Sequence, residues 1–193
     1  MYKLYFYNIK NLTDNQYSEW YDQMDKTKKR RVDRLKLSDS KKRTVVGDAL
    51  ARRAIYESCG IDKSKIKFYY SEKGKPFVRD VDLFFNISHS YDIVICGISD
   101  ENIGVDIEKI RPITRKLAEK VCKDDELYGI MDSNGQINCD EFFKVWTGKE
   151  AYFKFKGTGI TDFKSIGVSQ IKNIFYDNIE YGYLACVITG DKI

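Results

Sequence analysis

The sequence of 193 residues contains one histidine, two prolines and no long apolar run. Because His89 stands alone, metal sites and catalytic mechanisms that need two imidazoles are excluded. No stretch of 18 apolar residues occurs, so the sequence offers no candidate membrane-spanning helix. The polar residues Asn8 and Lys10 interrupt the apolar N-terminus too early for a signal peptide. These features predict a cytoplasmic protein with no membrane partner.

Cysteine usage agrees with this prediction. The five cysteines are scattered, and none forms a Cys-x-x-Cys pair. Their odd number and irregular spacing indicate neither a disulfide framework nor a zinc site. The hydrophobic share of 42% and the charged share of 32% are typical of a folded soluble protein, which excludes a wholly disordered chain. The length fits one domain or two small, closely packed lobes.

Positive charge is concentrated in one segment. Residues 26–53 contain twelve Lys and Arg against three Asp, a local charge of +9, although the net charge of the chain is only +4. Such a segment attracts phosphate groups or an acidic partner through its long-range field. It is equally typical of a solvated helix face. Composition alone leaves both interpretations open.

Hydrophobic periodicity predicts a mixed α+β fold. The predicted strands are residues 2–9, 67–70, 83–87, 93–98, 103–108, 165–168, 171–176 and 183–188. The predicted helices are one that begins at Thr13 or Asp14, one or two over residues 28–58 with a stop at Gly60, and two more over residues 113–128 and 141–155. Residues 88–90 are interpreted as a loop. The order strand–helix–strands occurs twice, with a division near Asp100, which suggests lobes of residues 1–100 and 101–193.

One predicted strand carries two carboxylates on the same face. In residues 103–108, apolar residues at alternate positions predict a core-facing side, and Gly104, Asp106 and Glu108 lie on the other side. Adjacent carboxylates raise each other's pKa unless a cation neutralises them, and hard oxygen ligands suit Mg²⁺. An acidic, solvent-exposed strand face is the plain alternative.

A second group of polar residues lies in the predicted helix over residues 141–155. Trp146, Glu150 and Lys154 follow one another at intervals of four residues, so they share one helix face. An ordinary surface ion pair between Glu150 and Lys154 is the alternative. The glycines that follow this helix do not match a dinucleotide-binding fingerprint.

Together these segments resemble the 4′-phosphopantetheinyl transferases of the larger, surfactin-synthetase-activating type. That family is marked by a G-[IV]-D-x-E segment and, further along the chain, by W-x-x-K-E-[AS]-x-x-K. The matching segments here are Gly104-Val105-Asp106-Ile107-Glu108 and Trp146-Thr147-Gly148-Lys149-Glu150-Ala151-Tyr152-Phe153-Lys154. Three further family hallmarks occur in order: Arg43-Thr44-Val45-Val46-Gly47-Asp48 at the end of a basic helix, Gly74-Lys75-Pro76, and Phe85-Asn86-Ile87-Ser88-His89-Ser90. The resemblance covers nearly the whole chain.

The resemblance implies a pseudo-dimeric α+β fold, with two similar lobes in a pseudo-twofold arrangement and a coenzyme A (CoA) site in the cleft between them. It also implies an Mg²⁺-dependent reaction that transfers the 4′-phosphopantetheine arm of CoA to a serine hydroxyl of an apo acyl or peptidyl carrier protein. Adenosine 3′,5′-bisphosphate would be released. Such enzymes serve fatty-acid, polyketide or nonribosomal peptide synthesis. The expected partners are CoA and the acidic helix of a carrier protein, and the expected state is a monomer.

The resemblance also implies a role for each matched residue. Asp106, Glu108 and Glu150 are expected to be the Mg²⁺ ligands. Glu150, or a metal-bound water that it orients, is expected to be the general base, and Lys154 to offset or protonate the leaving phosphate. The expected contacts to the 3′-phosphate and adenosine of CoA are Lys28, Arg31, Arg43, Lys75, Ser88 and His89.

Two other functions compete with this interpretation. A non-catalytic CoA-binding relative would be expected to have lost part of the reactive motifs. Their residues are all present: Asp106, Glu108, Lys149, Glu150 and Lys154. A nucleic-acid binder that uses residues 26–53 would bind phosphates in a salt-sensitive manner, but it would leave the acidic motifs without a purpose. We therefore expect no nucleic-acid partner.

Overall fold

The computed structural model describes residues 1–191. Its strands are β1 (Tyr2–Asn8), β2 (Tyr69–Tyr70), β3 (Pro76–Phe77), β4 (Phe84–Ser90), β5 (Ile93–Ser99), β6 (Asn102–Lys109), β7 (Ile174–Glu180) and β8 (Tyr183–Gly190). Its helices are α1 (Asp14–Gln23), α2 (Lys26–Arg34), α3 (Ser38–Cys59), α4 (Arg115–Val121), α5 (Asp124–Gly129) and α6 (Cys139–Lys156). The predicted mixed α+β class is confirmed. Over the described part of the chain, every helix falls short of the length and apolar character that a bilayer crossing needs.

The first sheet is antiparallel, with strands in the order β1-β5-β4, and the long helix α3 packs against it. Val46, Leu50 and Ile55 of α3 are buried in one cluster with Phe85 and Val94 of the sheet. Full burial of an aliphatic or aromatic side chain stabilises the fold by about 1.5–3 kcal/mol. This layer holds β4 in place at the edge of the sheet.

The second sheet is also antiparallel, with strands in the order β6-β8-β7, and α6 packs against β6 and β8. Ala151 and Phe155 of α6 share a buried cluster with Cys186 and Ile188 of β8. The hairpin of β2 and β3 stands apart as a two-stranded sheet before β4.

The two large sheets meet through a common core between β5 and β6. Ile93 and Ile95 on β5 cluster with Ile103, Val105 and Ile107 on β6, and all five have no exposed surface. The apolar alternation in residues 103–108 therefore gives the buried face that the sequence predicts. The opposite face of β6 lies under α6 rather than in solvent, so the alternative of an exposed acidic strand face is wrong.

Side chains, not a backbone ladder, join β4 to β6. Asn86 Oδ1 accepts the N–H of Val105 at 3.0 Å, and Ser90 Oγ accepts the N–H of Lys109 at 3.2 Å. Because alternate residues of a strand share a face, Ser88 between them also points towards β6. This side-chain seam fixes the position of one sheet edge against the other.

The helix ends follow from local sequence. Thr13 caps α1, since its side-chain oxygen accepts the N–H of Gln16 at 3.2 Å in a capping box. Gly60 ends α3 and Gly157 ends α6 at φ of 73° and 68°, in the left-handed region that glycine adopts without steric cost. The predicted start at Thr13 and stop at Gly60 are confirmed.

Two predictions for the middle of the chain are wrong. Residues 88–90 lie inside β4 rather than in a loop, because their backbone pairs with residues 93–95 of β5. The seam with β6 provides hydrogen bonds for the side chains of Ser88 and Ser90. The single helix predicted over residues 113–128 is divided into α4 and α5. The chain turns between them, and Glu126 accepts the N–H of Lys123 at 2.8 Å to start the second helix.

The C-terminal strands are also fewer than predicted. Residues 165–168 form no strand, and two short 3₁₀ turns, Phe163–Ser165 and Val168–Gln170, cover this segment. The strand predicted over residues 171–176 begins later, at Ile174, and is paired with β8 as β7. The apolar side chains of the 3₁₀ turns pack under α6 instead of forming an edge of the sheet.

Gly104 sets the distance between β6 and α6. A Cβ atom at this position would overlap the carbonyl oxygen of Ala151 and the amide nitrogen of Phe155. Both are backbone atoms, which no change of rotamer can move away. The glycine therefore lets α6 lie close enough to β6 for the polar side chains on the two facing surfaces to touch.

Gly104→Ala is expected to lower the free energy of unfolding by about 1–3 kcal/mol, because α6 has to move away from β6. Gly129→Ala is the control, since a Cβ there meets no atom within 4 Å and alanine is the better helix former. Urea unfolding of both variants measures the difference. Equal stability of the two variants would contradict the close contact between α6 and β6.

Candidate active site

Asp106, on the face of β6 under α6, is a buried carboxylate with 2% of its surface exposed. Its Oδ1 accepts hydrogen bonds from Ser88 Oγ at 2.7 Å and from Lys154 Nζ at 2.6 Å. Lys154 Nζ also donates to Ser88 Oγ at 2.8 Å, so the three groups contact one another. The other carboxylate oxygen, Oδ2, is buried without a hydrogen-bond partner among the described residues. A buried acceptor in this state costs about 1–3 kcal/mol, which a bound ligand would offset.

Glu108 lies two residues further along β6 on the same face. Its Oε2 accepts hydrogen bonds from Ser90 Oγ at 2.9 Å and from Arg111 Nη1 at 3.2 Å. Partial burial raises the pKa of Glu108, and the negative charge of Asp106 raises it further, although Ser90 and Arg111 act in the opposite direction. The negative charge of Asp106 thus disfavours the ionised form of Glu108.

Helix α6 supplies a third carboxylate and an ammonium group. Glu150 and Lys154 lie one turn apart, with 3.8 Å between Glu150 Oε2 and Lys154 Nζ. Burial and then the charge of Asp106 raise the pKa of Glu150 to about 7, with Glu108 adding to the rise and Lys154 opposing it. The alternative of an isolated surface pair is wrong, because Lys154 also binds Asp106 on the neighbouring strand.

The charges of this carboxylate site do not balance. Three carboxylates face two cations, Lys154 and Arg111, and one carboxylate oxygen has no partner among the described residues. Within residues 1–191, no set of three or more His, Cys, Asp or Glu side chains has the arrangement of a formed metal site. The donors are nevertheless hard oxygens with excess negative charge, which suit Mg²⁺ better than a soft metal. Asp106, Glu108 and Glu150 therefore fit a hard divalent cation.

His89 and Arg43 carry nitrogen donors beside the carboxylate site. His89 is exposed overall, but partial desolvation of its imidazole lowers its pKa. The positive charges of Arg43 and Lys154 lower this pKa further. Arg43 donates to the carbonyl oxygen of Tyr91 at 2.9 Å and to Ser40 Oγ at 3.2 Å. These neutral acceptors leave the positive charge of Arg43 unpaired within residues 1–191. The predicted residues Arg43, Ser88 and His89 thus lie near the carboxylates.

Lys75 has a buried ammonium group with three oxygen partners. Its Nζ donates to Asn102 Oδ1 at 2.8 Å, to the carbonyl oxygen of Ile103 at 3.0 Å and to that of Phe155 at 3.1 Å. Burial lowers the pKa of Lys75 to about 8. The lysine thereby ties the turn before β3 to β6 and to the end of α6. That turn, residues 73–76, lines a cleft of about 230 Å³ whose wall also includes Lys154.

The two predicted residues on α2 differ in their surroundings. Lys28 Nζ pairs with the buried Asp48 at 2.6 Å, and Asp48 also accepts a hydrogen bond from Arg52 Nε at 2.6 Å. The Lys28 side chain is 13% exposed, and its ammonium group lies 4.1 Å from the ring centre of Phe68. Lys28 is therefore engaged in a buried ion-pair network rather than brought to the carboxylate site. Arg31 is exposed in the last turn of α2.

Sequence reasoning misses two residues that hold Glu108. They are Ser90 and Arg111, whose hydrogen bonds fix Oε2. A signal for Ser90 is present, because Asn86, Ser88 and Ser90 alternate along the chain and share one face of a strand. No pattern identifies Arg111, which follows the strand.

Lys149, inside the W-x-x-K-E segment, has a structural role that the sequence alone does not predict. It is fully buried, and its Nζ donates to Glu126 and, at 2.9 Å, to the carbonyl oxygen of Val121. Glu126 also accepts the N–H of Val168 at 2.8 Å. Lys149 therefore anchors α4 and α5 to α6, the helix that carries Glu150. Glu126 in turn connects α5 to the 3₁₀ turn Val168–Gln170. The sequence neighbours of Lys149 do not reveal its partner Glu126, 23 residues away.

The comparisons with known proteins all find similarity to the same family. One family model, described as the 4′-phosphopantetheinyl transferase superfamily, matches residues 102–184, and another, described as 4′-phosphopantetheinyl transferase, N-terminal, matches residues 11–100. The chain is 38% identical over 120 residues to the 4′-phosphopantetheinyl transferase Sfp of Bacillus subtilis, covering 62% of this chain and 54% of that protein.

Two further relatives carry similar names. The transferase gsp of Aneurinibacillus migulanus is 38% identical over 118 residues, covering 61% of this chain and 49% of that protein. The transferase psf-1 of Bacillus pumilus is 34% identical over 135 residues, covering 69% of this chain and 58% of that protein. The chain thus spans about half the length of the curated relatives that it matches.

The raised pKa of Glu150 predicts a pH dependence of stability in the metal-free protein. The folded pKa of about 7 lies above the ordinary 4.5, so between these values the folded state binds the proton that the unfolded state has lost. Stability conferred by the protonated form is therefore present below pH 4.5 and is lost as the pH rises towards 7.

Relative to Glu150→Gln, the wild-type protein is expected to lose about 1–3 kcal/mol of unfolding free energy across this pH range. Urea unfolding in EDTA at several pH values measures the difference. Glu119→Gln, the same chemical change at an exposed residue of α4 that pairs with Arg115, is the control. A wild-type curve parallel to that of Glu150→Gln would contradict the crowding of carboxylates around Glu150.

Proposed function

The chain belongs to the 4′-phosphopantetheinyl transferase superfamily, and we propose that it transfers the 4′-phosphopantetheine arm of CoA to a serine hydroxyl of an apo acyl or peptidyl carrier protein. Adenosine 3′,5′-bisphosphate would be the second product. One observation carries the proposal: three carboxylates and Lys154 meet beside a cleft of about 230 Å³. Phosphoryl transfer depends on positioning and charge neutralisation more than on covalent chemistry by the enzyme, and this site offers both.

We propose that Asp106, Glu108 and Glu150 hold Mg²⁺. The buried Oδ2 of Asp106 has no partner among the described residues, and the pKa values of Glu108 and Glu150 are raised by burial and by neighbouring negative charge. A divalent cation would relieve both conditions. When bound, Mg²⁺ would neutralise charge on the pyrophosphate of CoA.

Glu150, or a metal-bound water that it orients, is the proposed general base. Without the cation the pKa of Glu150 is about 7, so its carboxylate holds a proton more tightly than an ordinary glutamate does, and a bound cation would lower that pKa. The serine oxygen of the carrier would form a bond to the phosphorus of the phosphopantetheine phosphate. The serine proton would pass to Glu150, and the bond from that phosphorus to the oxygen of the adenosine-side phosphate would break.

Lys154 is the proposed partner of the leaving phosphate. Its Nζ already contacts Asp106 and Ser88, and its side chain, 27% exposed, lines the cleft. An ammonium group held in this way can stabilise the negative charge that develops on the leaving oxygen, or donate a proton to it. Its carboxylate neighbours keep it oriented before the substrate arrives.

Six residues remain our proposed contacts to CoA, and their surroundings suggest different contributions. They are Lys28, Arg31, Arg43, Lys75, Ser88 and His89. Arg43 has an unpaired charge within the described residues and lies next to His89, which suits a 3′-phosphate. The side chains of Lys75 and Ser88 hold other protein groups, so we propose that they shape the cleft. A contact from Lys28 would require its ammonium group to leave Asp48.

We further propose that residues 1–100 and 101–193 are two lobes in a pseudo-twofold arrangement, with CoA in the cleft between them. Each part contains a three-stranded antiparallel sheet and one long helix packed on it, α3 in the first and α6 in the second. The cleft is lined by residues 73–76 from the first part and by Gly157, Gly159 and Ile160 from the second. We also propose a cytoplasmic monomer.

The proposal is tested by mass spectrometry of apo carrier proteins from fatty-acid, polyketide and peptide synthesis after incubation with CoA, Mg²⁺ and the protein. At least one carrier is expected to gain the mass of one phosphopantetheine group. Glu150→Gln should lower turnover by about 10²–10⁴-fold, because it removes the proton acceptor. Lys154→Ala should lower turnover because charge on the leaving group is stabilised mainly in the transition state.

Lys156→Ala is the matched control, since Lys156 is an exposed lysine two residues further along the same helix. It should retain full turnover. The absence of a mass gain on every carrier would contradict the proposed function. A mass gain in EDTA equal to that in Mg²⁺ would contradict the metal assignment alone.

A further inference from the structure

The turn between β4 and β5 carries a strained aromatic residue. Tyr91 and Asp92 form this two-residue turn, and Tyr91 has a φ of 48°, in the left-handed region that favours glycine. For a bulky side chain this backbone conformation is a genuine outlier, and such strain is a reason to look for a function. The ring is 51% exposed, so burial in the core does not account for its presence.

Two cationic side chains frame the exposed ring. Lys109 Nζ lies 5.1 Å from its centre, and the guanidinium carbon of Arg111 lies 5.8 Å from it. Arg43 Nη1 holds the backbone of the turn through the carbonyl oxygen of Tyr91. We call Tyr91, Lys109 and Arg111 the Tyr91 patch. The ring therefore presents an apolar surface between two positive charges.

The patch lies directly beside the carboxylate site but outside the CoA cleft. Arg111 binds Glu108 at 3.2 Å, and Lys109 is the next residue on β6. None of the three patch residues lines the 230 Å³ cleft. The neighbouring Asp92 is paired with Lys10 at 2.8 Å, and Lys109 has no carboxylate partner within residues 1–191. The patch thus keeps a positive charge that no protein group takes up.

We infer that the Tyr91 patch is the docking surface for an acidic segment of the carrier protein, an inference that rests on the proposed function. The carrier is the macromolecular substrate, and its serine must reach Glu150 from outside the CoA cleft. Charge complementarity favours carboxylates on the surface that meets Lys109, because Arg111 is already paired with Glu108. A tyrosine ring flanked by cations supplies apolar contact area at low entropic cost, as in the central residues of many interfaces.

The test uses Tyr91→Gly, which removes the ring and installs the residue that the backbone prefers, so the fold is expected to be retained or stabilised. Tyr181→Gly is the matched control, because Tyr181 is a fully exposed tyrosine in the β7–β8 turn of the other sheet. The probe is the apo carrier that the wild-type protein modifies best in the mass-spectrometric panel. The KM for this carrier is expected to rise about tenfold in Tyr91→Gly and to stay unchanged in Tyr181→Gly.

A charge variant tests the docking surface independently of the tyrosine ring. Lys109→Glu should raise the KM for the carrier and flatten its increase with NaCl, because a screened attraction has been removed. Lys172→Glu, the same change at an exposed lysine outside the patch, should behave as wild type. In all four variants the KM for CoA and the turnover at saturating carrier should stay near the wild-type values.

Three outcomes would overturn the inference. An unchanged carrier KM in Tyr91→Gly, with an active wild-type enzyme, would remove the docking surface and leave the proposed function intact. A rise in the KM for CoA instead of the carrier would assign the patch to the CoA site. Failure of the wild-type protein to modify any carrier would remove the proposed function and the docking partner together.

Discussion

The burial of Asp106 between β6 and α6 is the constraint on which the site depends. A carboxylate this deep requires compensation, and Ser88 and Lys154 supply it at Oδ1 only. The close approach of α6 that brings Lys154 to Asp106 exists because residue 104 has no Cβ. The same approach places Glu150 near Asp106, whose negative charge helps to raise the pKa of Glu150. The packing that compensates the buried charge of Asp106 therefore disfavours the ionised form of Glu150. The excess negative charge is therefore a consequence of the fold.

Some lysines of the protein bond to other structural elements and stabilise the fold, whereas others face solvent or the cleft. Lys28, Lys75 and Lys149 are bonded to acceptors on other elements and hold α2, the turn before β3 and α5 in place. A count of charges along the sequence does not distinguish these bonded lysines from lysines that are free to bind a ligand. Among the cations near the site, Arg43, Lys75 and Lys109 have no carboxylate partner in the described residues, and the Lys75 ammonium group is taken up by three neutral oxygens. Recognition of anionic groups is therefore proposed to rely on few of the many basic residues.

Much of the site could be predicted from local sequence, because its central patterns are local. The alternation in residues 103–108 gives the shared face of Asp106 and Glu108, and the four-residue spacing gives the shared face of Glu150 and Lys154. The contacts between the two segments are not local. Residues 88–90 were open to interpretation as a loop because the partners of their polar side chains lie 18 or 19 residues away on β6, although their backbone pairs with the next strand, β5. The partners of Lys28 and Lys75 within the protein could not be predicted for the same reason, since they are 20 to 80 residues distant.

The central claim is that the three carboxylates hold excess negative charge that a divalent cation relieves. Calorimetric titration of Mg²⁺ into the protein at about pH 7, in two buffers of different ionisation enthalpy, tests it most directly. With a pKa of about 7, Glu150 is partly protonated before the cation binds. The account predicts release of about half a proton per bound Mg²⁺, and loss of this release in Glu150→Gln. Binding without proton release, or the same release in Glu150→Gln, would contradict it.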